Sequence, residues 1–121
     1  VSGDLIVVFE EEDHSYFVRD GENLILELHI SFPLAVLGGK IDIPTLHGKV
    51  GLKIPKGIQS GQILRLKGKG FPRIRSNHYG DQLVKVQINT PKKITRSTKR
   101  LIDDLKDNLY PIDNPFRKIE L

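Results

Sequence analysis

Residues 37–70 of this 121-residue chain read LGGKIDIPTLHGKVGLKIPKGIQSGQILRLKGKG. Apolar and polar residues alternate there in short bursts, and Gly or Pro closes nearly every burst. That pattern predicts several short strands joined by tight turns. The strands fall at Lys40 to Pro44, Lys49 to Ile54 and Gln62 to Lys67, with turns centred on Leu46 to Gly48 and on Pro55 to Gly61.

Upstream, Leu24, Leu26, Leu28 and Ile30 alternate with Ile25, Glu27 and His29, which predicts a strand with one buried face. Asp13 to Asn23 reads as a connector, with Asp20-Gly21 as its turn signal. Gly3 to Glu11 is rich in Leu, Ile, Val and Phe and reads as another strand. Phe32 to Leu37 is too densely apolar for alternation. Pro33 suits a first helical turn and Gly38-Gly39 a stop, so one or two turns of helix are expected.

Downstream, Gly68 to Gly80 is basic and aperiodic, a long loop. Gln82 to Asn89 returns to alternation. Thr95 to Leu109 is the one convincing helix. Thr95 caps it, Leu101, Ile102, Leu105 and Leu109 share a face, and Pro111 stops it. Asp113 to Leu121 reads as a tail. Gly3-Asp4-Leu5 and its strand echo Gly80-Asp81-Gln82 and the strand that follows. The second copy closes a unit of strands and turns. The first copy is therefore expected to be the last strand of an earlier, similar unit.

The bulk composition bounds the class. A 38% hydrophobic and 28% charged chain of this length fits one globular domain with a modest core. No apolar run is long enough to cross a bilayer, and the early acidic turn at Glu10 to Asp13 is unlike a signal peptide. A cytoplasmic setting is expected. With no cysteine, the chain has no disulfide and no thiolate zinc site.

Charge is unevenly spread. Residues 1–30 hold eight acids against Arg19, a net of −7, while residues 40–75 hold nine bases against Asp42, a net of +8. Such a basic stretch fits either a nucleic-acid face or strands whose wet side carries lysine. The aromatic residues that would stack bases are missing from it, which argues against a nucleic-acid partner. Catalytic patterns are missing too. The serines lie outside any nucleophile elbow, His14, His29, His47 and His78 form no close ligand pair, and Gly68-Lys69-Gly70 lacks the rest of a phosphate loop. No enzymatic activity, metal or cofactor is expected.

Four segments resemble the C-terminal region of the DnaJ family of co-chaperones. They are Gly3 to Leu5 with its strand, His14 to Leu24, Leu37 to Gly70, and Gly80-Asp81 through Pro91. The resemblance implies a mainly β fold, the family's peptide-binding β-sandwich, with one short helix and a C-terminal amphipathic helix. Residues 1–12 would close a preceding, truncated β-domain and 13–23 would connect. Residues 24–91 would be the second C-terminal domain, and 92–121 a helix and tail for dimerisation.

It also implies the function: holding unfolded clients and delivering them to the 70-kilodalton heat-shock chaperone. The J-domain with its His-Pro-Asp tripeptide is not in this sequence, nor is the cysteine-rich zinc region of many members. Any zinc would belong to the upstream part of a parent protein. Client binding needs exposed apolar side chains beside strand edges, which makes Val50, Leu52, Ile54, Leu64 and Leu66 candidates, against the plainer reading that most of them are ordinary core. From periodicity alone, the last helix could pack on its own sheet or pair with its twin. The resemblance favours a homodimer through Leu101, Ile102, Leu105, Leu109 and Tyr110.

Overall fold

The alternation of Leu24, Leu26, Leu28 and Ile30 is the axis of the β-unit. In a computed structural model, which describes residues 16–73 and 78–120, these residues lie on strand β2 (Asn23–Ser31). β2 pairs in parallel with the strand Gln82–Asn89, in a register running from Leu24↔Gln82 to Ser31↔Asn89. The remaining elements are β1 (Phe17–Asp20), α1 (Phe32–Leu37), β3 (Gly39–Thr45), β4 (Gly48–Ile54) and β5 (Ile63–Leu66). Gln82–Asn89 is β6, and α2 is Arg96–Asn108.

Among the described residues two sheets result: a four-stranded one in the order β1-β2-β6-β5, and a two-stranded ribbon of β3 and β4. Every pairing except β2 with β6 is antiparallel. A single core joins the sheets and α1. It contains Leu26 and Ile30 of β2, Val84 and Val86 of β6, Ile43 of β3, Leu52 and Ile54 of β4, Ala35 of α1, and Ile58 from the loop after β4. Gln82 ties the layers by donating from Nε2 to the Pro44 carbonyl at 2.9 Å.

Local chemistry sets the element ends. Ser31 Oγ accepts the Leu34 N–H at 3.3 Å and starts α1, with Pro33 in the first turn. α1 stops at Gly38, where a Cβ would stand 2.9 Å from the Ile54 carbonyl oxygen, so the end of β4 closes against it.

Two expectations change. Phe17–Asp20 is a strand, not connector: the pairs Phe17↔Leu26 and Asp20↔Asn23 leave a two-residue turn, which Gly21 enters at φ 63. Its single half-buried residue gives a four-residue edge strand no readable period. The aperiodic loop after β5 doubles back on itself. Pro72 bridges Tyr79, Arg73 N–H donates to the His78 carbonyl at 2.9 Å, and Gly80 N–H donates to the Phe71 carbonyl at 2.7 Å. The proposed strand over Gly3 to Glu11 lies outside the described residues, as does Leu121.

The chain divides into two compact units, the first ending at Thr90 and the second beginning at Pro91. The second holds α2, capped by Thr95, whose Oγ1 accepts the Thr98 N–H at 3.1 Å. None of α2 is buried. No helix among the described residues is long and apolar enough to cross a membrane.

Candidate functional site

Strand alternation sends Val50, Leu52 and Ile54 to one face of β4, the face turned to the core. Leu52 and Ile54 are only 5% and 1% exposed, so they have no surface left for a partner. Val50, opposite Ile43, is half-buried. Leu64 and Leu66 of β5 are half-buried and pack against the core from the edge of the larger sheet. Of the five sequence candidates, Val50, Leu64 and Leu66 therefore keep some access to solvent.

α1 presents apolar side chains to solvent, a feature its apolar run in the sequence does not by itself reveal. Phe32, Val36 and Leu37 follow at four- and one-residue steps and face outward, with Leu37 75% exposed. One signal was available: a two-turn helix made wholly of apolar residues cannot bury every side against one small core. Ala35 alone is buried and Leu34 half-buried. α1 abuts the end of the ribbon, where Gly57 N–H donates to the Ala35 carbonyl at 2.9 Å. Among the described residues, β3 and β4 pair only with each other, so each has an open edge, as does β5. The β-unit thus combines an exposed apolar helix face with unpaired strand edges.

The basic stretch resolves into two kinds of residue. Arg65 pairs with Asp81 at 3.1 Å, and Arg73 with Glu22 at 2.8 Å, holding the loop after β5 in place. Lys40 and Lys53 stand directly opposite each other on the wet face of the ribbon, with Asp42 and Lys49 beside them. Opposed like charges weaken a ribbon slightly and make it a poor template for another copy's edge.

In the second unit, Leu101, Ile102, Leu105 and Leu109 are all exposed, and Tyr110 is 96% exposed. Lys99 pairs with Asp103 at 3.2 Å on the helix surface. Further along, Ile112, Phe116 and Ile119 are also exposed. Asn114 accepts the Phe116 N–H at 3.1 Å, so the tail satisfies part of its backbone locally. Among the described residues, no three His, Asp or Glu side chains gather closely enough to hold a metal ion. His29 has a pKa raised from 6.5, first by its bond to Asn89 and then by its bond to Glu27.

Comparison with known proteins gives this arrangement a context. Residues 1–91 match the family model described as DnaJ C terminal domain. The chain is 47% identical over 108 residues to Chaperone protein DnaJ of Fusobacterium nucleatum subsp. nucleatum, covering 89% of this chain and 28% of that protein. Chaperone protein DnaJ of Geobacillus sp. (strain WCH70) is 51% identical over 100 residues, 83% of this chain and 26% of its own length. That of Salinibacter ruber is 42% identical over 112 residues, 91% and 29% respectively. The chain therefore spans between 26% and 29% of the length of these relatives.

Proposed function

Since this chain belongs to the DnaJ C-terminal domain family, we propose that it binds unfolded client polypeptides and pairs with a second copy of itself. In its full-length parent, it would help pass those clients to the 70-kilodalton heat-shock chaperone. The observation that carries the client reading is the exposed face of Phe32, Val36 and Leu37 beside open strand edges. An extended chain gains backbone hydrogen bonds from an edge and affinity from apolar contacts. Val50, Leu64 and Leu66 would contribute at the margins. Folded proteins bury such segments, so the surface would select for the unfolded state without reading a sequence.

Pairing rests on α2. An isolated helix of 13 residues is marginal in water and needs a covered face. Burying Leu101, Ile102, Leu105 and Leu109 on each of two copies is worth about 12 kcal/mol gross, at roughly 1.5 kcal/mol per side chain. Association costs about 4 to 15 kcal/mol, so the pair would be of modest affinity. Two linked units would raise avidity for one long client without any new contact. The activity calls for no cofactor in this chain, and a cytoplasmic setting goes with it.

Light scattering of a denatured protein diluted from urea tests the proposal. The chain is expected to slow aggregation at near-stoichiometric ratios. Scattering unchanged by an excess of the chain, with no peptide binding, would overturn the client reading. Dimerisation is judged separately, by the mass in solution.

A further inference from the structure

His29 lies on β2 opposite Gln87 of β6, two residues from the strand's end. Both ring nitrogens face oxygen: Nδ1 is 2.7 Å from Asn89 Oδ1, and Nε2 is 3.0 Å from Glu27 Oε2. A neutral imidazole has one N–H; the charged Glu27 carboxylate is the stronger acceptor, so the neutral ring donates to Glu27 and turns its Nδ1 lone pair toward Asn89 Oδ1, as that amide is oriented here. Only the imidazolium donates to both. The geometry thus matches the charged ring.

The other groups near the ring do not provide an alternative. On β2, Ser31 is neutral. On β6, Lys85 stands opposite Glu27, while Gln87 and Asn89 are neutral. The loop after β4 reaches this end of β6 through Ser60, which donates to Gln87 Oε1 at 2.9 Å. α1, which begins after Ser31, has no charged residue. Among the described residues, Glu27 is therefore the single acid bonded to the ring.

The position matters because Asn89 is the last residue of β6, and the first unit ends at Thr90. Pro91 has no N–H to extend the ladder. On one side, the end of β6 is fastened by Ser60 Oγ, which accepts the Ile88 N–H at 3.2 Å. On the other side, the side-chain fastening is the His29–Asn89 bond. We propose that His29, Asn89 and Glu27 form a proton-operated latch, which fastens the end of β6 to β2 when the ring is charged and slackens it when the ring is neutral. The segment leading into the C-terminal unit is then held more firmly in acid than in base. The latch does not depend on client binding.

The raised pKa of His29 agrees with this direction. A folded-state value above the unfolded one gives a contribution fully present below 6.5 and lost as pH rises through the folded value.

Two measurements on the full chain test it: an NMR titration of the His29 ring, and hydrogen exchange at the Asn89 and Thr90 amides corrected for intrinsic rate. The ring is expected to titrate above 6.5 in the wild type and closer to 6.5 in Asn89→Ala. Protection of the two amides should fall by up to about fivefold as the ring loses its proton, the range of a solvent-screened ionic contact. His29→Gln should abolish that pH dependence. A wild-type ring titrating at or below 6.5, or amide protection that ignores the ring's charge, would overturn the latch.

Discussion

Gly80→Ala probes the joint between the β1–β2 turn and the loop after β5. A Cβ at Gly80 would fall far inside contact distance of the Glu22 carbonyl oxygen, a backbone atom that cannot swing aside. That oxygen already accepts the Phe71 N–H at 2.8 Å. Gly80 itself donates to the Phe71 carbonyl at 2.7 Å and accepts the Gly70 N–H at 2.8 Å. Gly70 is equally confined, its Cβ position lying 2.6 Å from the same Glu22 oxygen. A methyl at Gly80 must therefore push two backbone segments apart. Overpacking of this kind costs about 1–3 kcal/mol. Losing one or two of the three hydrogen bonds adds about 1 kcal/mol each. The expected loss is about 2 to 5 kcal/mol, a large share of a typical stability of roughly 5–15 kcal/mol. Urea unfolding followed by circular dichroism measures it. Gly57→Ala is the control: Gly57 has φ 78 and nothing within 4 Å of its Cβ position, so backbone strain alone operates there. That strain is worth about 1–2 kcal/mol. A Gly80→Ala variant no less stable than Gly57→Ala would refute the contact argument.

Four further outcomes are expected. Gln82 is fully buried, its Oε1 has no partner and its Nε2 holds the Pro44 carbonyl, so Gln82→Leu should cost about 1–3 kcal/mol by urea unfolding for the lost bond, and Gln82→Ala should cost more by leaving a cavity as well. Thr95→Ala removes the cap on α2 and should cost that helix about 1 kcal/mol, read as lost helical ellipticity. The wild type is expected to sediment as a dimer and Leu101→Asp/Leu105→Asp as a monomer, and an unchanged mass would remove α2 from the interface. The fastening of β6 should weaken as pH rises through the His29 titration, and exchange at Asn89 checks it.

Several of these features were legible in the sequence. Period-two alternation marked β2 and β6, and Thr95 announced the start of α2. β1 was not legible, because an edge strand with one half-buried side chain leaves no period. Alternation correctly put Leu52 and Ile54 on one face of β4, but it cannot say which layer covers that face. They belong to the core, whereas Phe32, Val36 and Leu37, hidden in an apolar run, are exposed. The contacts that pin the fold join residues far apart in the chain. Gly80 meets Glu22, and His29 meets Asn89 sixty positions away through a parallel pairing that no local pattern encodes.

The central claim is that this β scaffold grips polypeptide because the polypeptide is unfolded. A fluorescence-anisotropy titration of one labelled protein, in a permanently unfolded form and in its native form, tests that most directly. Saturable binding to the unfolded form alone, weakened by Val36→Ser/Leu37→Ser, is the predicted result. Equal binding to both forms, or to neither, would contradict it.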